Sequence, residues 1–434
     1  MSLILPPDHP QRYPMTRELH ARPFPEIASP SQAIHLAFKP LDDRARDTAA
    51  HRAHVEALVD RVGAPRPARD ADHYFGEVGR VKLKWERHTE FVSYTLFEDG
   101  PTDAPFALPV ERLAPADWLA EAPGALISAI RVHVETVDGL DAAEAALLGR
   151  LNRHFVAESL AAAHVVDRQA TAFSDFRIHE DGFSRVAVLA QPDTGRRRVG
   201  RVVQRMLEIE TYRMMAMLAL PMARRVGGQL SEIEAELAGL IEKFTADAHD
   251  DRDALARLTR LSAAIEAISA ETAFRFGASF AYSKLVEQRM ATLREERAAN
   301  RQMISEFMAR RFEPAMRTCR STERRLHDVA NRADRAVSLL RTRVNVAVET
   351  QNQALLESMN SRAEMQLRLQ RTVEGLSVVA ISYYAVSLAG YAVKPLAKFV
   401  AMDESLLLAL TAIPIVAGVW AFIRRIREKI ERED

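Results

Sequence analysis

A chain of 434 residues has room for two or three domains. Its 59 Lys and Arg balance 59 Asp and Glu, so no overall basic field exists to hold nucleic acid. The single cysteine, Cys319, excludes a disulfide framework within the chain and suits a reducing compartment.

Residues 1–30 contain Pro6, Pro7, Pro10, Pro14, Pro23, Pro25 and Pro30. Proline fixes φ and removes a donor, so this stretch is expected as an extended arm packed along its own domain, or holding a protein partner. His9, Arg12, Arg17, His20 and Arg22 give it polarity. No apolar run precedes its prolines, so no signal peptide is expected.

Residues 31–190 read as one α/β or α+β domain. Ala33–Phe38 is expected as a strand and Asp42–Val62 as a helix with apolar or small residues at Ala50, Ala53, Ala57 and Leu58. Tyr74–Phe97 is rich in β-branched and aromatic residues and reads as two strands or one long bent one. Leu83, Trp85 and Phe91 share a parity, opposite Lys82, Lys84, Glu86, His88 and Glu90. Such alternation predicts a half-buried strand with a solvated polar face; metal ligation by Glu86, His88 and Glu90 is the alternative. Glu111–Leu119 reads as a short helix, Leu126–Val137 as a strand and Asp141–Phe155 as helical. Phe173–His179 and Phe183–Leu189 flank Glu180-Asp181-Gly182, a hairpin signal.

From Arg196 onward no strand pattern is present. Helices are expected over Arg197–Arg225, Leu230–Phe244, Leu255–Ala270, a long one to about Phe312, and from Ala315 onward. Gly227-Gly228 would break the first pair, and 249–253 (HDDRD) would form the next turn. Asp247, Asp250, Asp251 and Asp253 lack the central glycine and terminal Glu of an EF-hand. Stripes such as Leu230, Ile233, Leu237, Leu240 and Leu255, Leu258, Leu261, Ile265 would pack as coiled-coil-like hairpins. Met206, Met214, Met215 and Met217 read as core filler.

The last helix of this region, to residue 372, carries a heptad. Its a positions are Val337, Val344, Gln351, Ser358, Met365 and Thr372; its d positions are Leu340, Ala347, Ala354, Ser361, Arg368 and Gly375. The seam turns small and polar, which fits a wide or hydrated homo-oligomeric bundle better than a tight dimer.

Residues 373–434 hold two uncharged runs, Leu376–Val393 and Leu406–Ile423. At ~1.5 Å per residue each covers about 27 Å, close to the hydrocarbon core of a bilayer. Arg362, Arg368 and Arg371 precede the first run; Arg424, Arg425, Arg427, Lys429 and Arg432 follow the second. The positive-inside rule then places both ends in the cytoplasm. A stripe on the first run, Ala380, Tyr383, Ser387, Gly390 and Lys394, is small and polar. With Gln351, Ser358 and Ser361 it makes the candidate pore or oligomer axis.

No phosphate-binding glycine loop, dinucleotide fingerprint, His-Glu-x-x-His or CxxC occurs, so no catalytic, cofactor-binding or metal-ligating set emerges. His51 and His54 share a helix face without a third ligand. The fold class expected is α+β: an α/β domain, a helical stalk and a transmembrane hairpin. The function expected is that of a membrane-anchored oligomeric scaffold or sensor. An ion-conducting oligomer and an enzyme with an unrecognised site in the α/β domain are the alternatives.

Several stretches carry a family resemblance: RYPMTRELHARPFP (12–25), HYFGEVGRVKLKWERHTEFVSYTLF (73–97), FRIHEDGFSRVAVL (176–189), RVVQRMLEIETYRMMAMLALP (201–221) and residues 339–388. The chain resembles a bacterial family of predicted membrane-anchored proteins with a domain of unknown function. The resemblance implies the bacterial inner membrane and no activity. The layout is also similar to CorA-type magnesium channels. Those carry Gly-Met-Asn at the outer end of the first span, where this chain has Leu388-Ala389-Gly390-Tyr391-Ala392-Val393.

Overall fold

The computed structural model describes all residues except 1–6, 14, 17–23, 43–46, 70, 103, 247–250, 401–402 and 431–434; for 111, 113, 244–246, 394–400, 404 and 427–430 it describes the backbone alone. Arg17, His20 and Arg22 of the arm, and Asp247 and Asp250, lie outside the described residues. Two compact units divide the chain, Met1–Val337 and Ser338–Asp434.

The first unit is built on a mixed sheet of β1 (Ser31–Lys39), β2 (His73–Val78), β3 (Val81–Arg87), β4 (Val92–Asp99), β5 (Ala125–Thr136), β6 (Ala161–Val165), β7 (Ala170–Ser174), β8 (Ser184–Ala190) and β9 (Glu296–Arg297). Their order is β2-β3-β4-β1-β5-β8-β7-β6-β9. Every pairing is antiparallel except β5 with β8. The 73–97 stretch thus makes three strands rather than two, because the chain turns at Gly79-Arg80 and again at 88–91.

One face is covered by α1 (Thr48–Arg61), α2 (Val110–Leu113), α3 (Ala116–Ala120) and α4 (Leu140–Leu148). Val55, Leu58 and Val59 of α1 and Trp118 of α3 meet Ile34, Leu36, Leu83, Trp85 and Tyr94 of the strands. Leu147, Leu151 and Phe155 meet Phe173 and Leu189. The helical stretch expected to reach Phe155 ends at Leu148, and Asn152–His154 is a 3-10 turn.

The other face is covered by α5 (Arg196–Met217), α6 (Ala219–Ala246), α7 (Asp251–Leu293) and α8 (Ile304–Arg311), followed by α9 (Glu313–Val400). Val199, Val202, Val203 and Met206 of α5 and Phe276, Tyr282 and Val286 of α7 pack on Ala33, Ala37, Ile130, Val132 and Val188. Of the four methionines read as core filler, Met206 and Met215 are fully buried, whereas Met214 and Met217 are half-buried.

The break between α5 and α6 falls at Leu218 and not at Gly227-Gly228. Pro221 explains it: a proline ring clashes with the carbonyl four residues back, here Met217, the last residue of α5. Glycine costs a helix only ~1 kcal/mol, which the buried stripe Ala223, Val226, Leu230 and Leu237 offsets. The two helices expected after residue 254 merge into α7, because Leu258, Leu261, Ile265, Phe276, Tyr282 and Val286 form one uninterrupted stripe. The expectation of no strand after Arg196 fails at β9, which pairs its Glu296 and Arg297 with His164 and Ala163.

Of the arm, Pro25 and Ile27 are buried and pack on α5. Ile27 N–H donates to Arg196 O at 3.3 Å. Only a glycine fits beneath: a Cβ at Gly200 would lie 1.8 Å from the Pro25 carbonyl oxygen.

Pro314 sits in the first turn of α9, where its missing donor costs nothing. Cys319, Thr322, Leu326, Val329, Ala333 and Ala336 are buried at alternating three and four residues.

The second unit contains the rest of α9 and α10 (Glu404–Ile430). Among the described residues two helical stretches are long and apolar enough to cross a membrane, one within Ile304–Val393 and one in Ser405–Ile426. None of the second window is buried, which is unlike a soluble core helix.

Candidate functional site

The polar face of β3 is not solvated. Cross-strand register puts Lys84 beside Thr95 and Thr95 beside His35, all pointing at α5. The next row is Glu86, Ser93 and Ala37. The helices over this face bury side chains whose alternation in sequence suggests exposure. Phe91 shares that face, opposite Leu83 and Trp85, because strand parity does not carry across the turn where His88 N–H donates to Phe91 O.

His35 is held between two hydroxyls, Nδ1 to Thr95 Oγ1 at 2.8 Å and Nε2 to Thr211 Oγ1 at 3.2 Å. Burial pushes its pKa down to about 3, so the ring is neutral at physiological pH. Lys84 is buried, and its Nζ lies 2.9 Å from Glu86 Oε2. That contact pairs the buried ammonium with a carboxylate. Burial raises the Glu86 pKa, but Lys84 and His88 outweigh it and hold the carboxyl below its ordinary value. Gln204 of α5 donates through Nε2 to Glu208 Oε1 at 2.8 Å, leaving a buried Oε1 unpaired. These groups line a cavity of about 20 Å³, room for one water.

His88 and Tyr212 form the wall between this chamber and an open cleft of about 530 Å³. His51, Asp72, Arg87, Glu90, Tyr282 and Arg289 line the cleft with them. Its charges come in pairs: Arg87 with Asp72, Arg289 with Glu208, and Glu90 with Arg275, the last buried on both sides. Burial and then Arg87 lower the His51 pKa, so this ring is neutral too. Burial, reinforced by Glu90, raises that of Tyr282, which remains a phenol. His88 stacks on Phe91 with centroids 4.1 Å apart, and Tyr212 lies 5.7 Å from Tyr282. Among the described residues no serine or cysteine lines the cleft. Among the described residues no three His, Cys, Asp or Glu groups are placed to hold a metal ion. Such a pocket suits a small, planar, charge-balanced solute: its aromatic walls offer a face and its paired charges offer donors and acceptors.

His54, one turn from His51, belongs to the core. Its Nε2 donates to Trp118 O at 2.8 Å, so Nδ1 accepts from the Tyr94 hydroxyl at 2.8 Å, and its ring stacks on Trp118.

The residues assigned in sequence to an axis do not meet within one chain. Gln351, Ser358 and Ser361 are exposed on α9. Tyr383 and Ser387 are exposed as well. Gly390 instead faces the second apolar helix, where a Cβ would lie 3.0 Å from Leu408 Cδ1. Most cleft side chains escaped sequence reasoning because they converge from β3, α1, α5 and α7; His88 and Glu90 were visible in the strand alternation and His51 in its helical spacing with His54.

A mixed nine-stranded sheet between helical layers and, among the described residues, two helices long and apolar enough to cross a membrane define an α+β protein. The chain belongs to DUF3422, a family of proteins of unknown function, whose sequence model it matches over residues 7–430. No curated protein matches it.

Proposed function

We propose that this is a non-enzymatic, membrane-anchored sensor that works as a homo-oligomer. Its first unit takes a small solute in the cleft at His88 and Tyr212, and its C-terminal helices hold that unit at the cytoplasmic face of the bacterial inner membrane. The observation that carries the reading is the pair of apolar helices, of which the second has no buried residue in its apolar window. Five basic residues after the second run support cytoplasmic ends. An ion-conducting oligomer draws less support, because Gly390 of the polar stripe packs toward Leu408 of the same chain.

Cysteine labelling tests the topology, with Cys319 replaced by Ala. A cysteine introduced at Ala401 should react with an impermeant maleimide from outside the membrane, and a reporter after Asp434 should report cytoplasm. Labelling of Ala401→Cys only in inside-out vesicles, or a chain that stays in the soluble fraction, overturns the proposal.

A further inference from the structure

One surface beside the cleft carries a charge surplus that the cleft itself lacks. Arg198, Arg201 and Arg205 recur at three and four residues, so they share a face of α5. Arg289 of α7 and Arg294 just beyond its end are close enough to Arg205 for their charges to act on it. Arg205 Nη1 donates to Thr292 O at 2.8 Å, which ties α5 to the last turn of α7. Arg289 holds Glu208, and Arg294 pairs with Asp167 at 2.8 Å. Among the described residues, Arg201, Arg205, Arg289 and Arg294 are thus four guanidinium groups with two carboxylate partners, Glu208 and Asp167, while Arg198 bonds the neutral Gln169.

Two further observations point to a missing anion. Arg201 Nε is buried and has no hydrogen-bond partner among the described residues. Burial, with Arg201 and Arg289 beside it, holds Arg205 below the ordinary guanidinium range. A half-buried group of like charges is unfavourable unless an opposite charge joins it. Guanidinium forks match the oxygens of a tetrahedral anion, and a surplus of two positive charges matches a dianion. Phe24, 42 % exposed, lies beside Arg205 with its ring centroid 6.0 Å from the guanidinium carbon.

We infer that Arg201 and Arg205, flanked by Arg289 and Arg294, form a binding site for a phosphate group. The site stands on different side chains from the solute cleft, apart from Arg289, and does not depend on membrane anchoring.

The test uses the full chain in nanodiscs of zwitterionic lipid. Inorganic pyrophosphate is titrated by calorimetry at fixed ionic strength, with chloride as the matched control. Saturable binding to wild type is expected, weakened tenfold or more in Arg201→Gln and abolished in the Arg201→Gln/Arg205→Gln double variant. Arg224→Gln, an exposed arginine on α6, should bind as wild type does. Circular dichroism checks that each variant is folded; Arg201→Gln decides the matter if the double variant is not, since among the described residues Arg205 and not Arg201 Nε bonds a second element. Repeating the titration in discs containing phosphatidylglycerol separates the sources. Competition there assigns the site to a lipid headgroup, and unchanged affinity assigns it to a soluble phosphate; both support the inference. Equal binding in wild type and Arg201→Gln, or heats no different from chloride, overturns it.

Discussion

His35 offers a direct measure of how far the sheet is sealed beneath α5. Its pKa is pushed down to about 3 by burial, against an ordinary 6.5. The folded chain therefore binds no proton there between pH 7 and 5, whereas the unfolded imidazole becomes almost fully charged. Stability rises with pH wherever the unfolded state binds more protons, so the His35 contribution is complete above pH 6.5 and declines as pH falls toward 3. At ~1.4 kcal/mol per pH unit once the unfolded ring is charged, the loss from pH 7 to pH 5 integrates to ~2 kcal/mol. His35→Gln removes the titrating group while keeping polar atoms near Thr95 and Thr211, so that variant should lack this part of the pH slope. Guanidinium unfolding in detergent reads it through the fluorescence of buried Trp85 and Trp118, in a Trp420→Phe background. Other buried histidines, His51, His54 and His133, are lowered by burial too and remain in both proteins. The comparison between wild type and variant isolates His35. Identical slopes in the two proteins, or a His35 ring proton titrating near 6.5 by NMR, would refute a sealed, neutral His35.

Gly200→Ala drives a methyl into the Pro25 carbonyl, so it should cost roughly 1–3 kcal/mol and expose the arm to protease; cleavage and unfolding at wild-type rates would place the arm elsewhere. Ending the chain after Thr350 should give a soluble product that unfolds in one cooperative transition, since the first compact unit closes at Val337; a molten product would show that its core needs the second unit. Replacing Gln351, Ser358 and Ser361 together by Leu should strengthen association of detergent-purified chains, read by light scattering. A wild-type protein that runs as a monomer removes the basis for the oligomer.

Local pattern was enough wherever one face of an element met a nearby partner. The stripes of α6 and α7 were legible because their period matches a helix, whereas the strands around Ala33–Phe38 and Leu126–Val137 are buried on both faces and were legible as apolar runs. β6 was not, because Ala161-Ala162-Ala163 has little β propensity and is a strand only through its neighbours. The break at Leu218 had its signal in Pro221, which a glycine pair six residues later overshadowed. The candidate site was the least legible. Lys84 and Glu86 look like a solvated face until α5 lies over them, and that coverage comes from more than a hundred residues away in the chain. His51, Tyr212 and Arg289 carry no mutual spacing that a linear reading could detect.

The two residues of β9 have a consequence for how the chain folds. They complete the sheet against β6, joining Arg297 to Ala163 across more than a hundred residues of sequence. The entropy of closing so long a loop must be met before that pairing returns anything, so it forms late. Until then β6 is an open edge, a template for pairing with another chain. During synthesis this edge stays open until residue 297 has emerged, which is after all of α5, α6 and α7. Early assembly of those helices therefore does more than cover the sheet: it brings β9 within reach and shortens the time in which unfinished copies can aggregate.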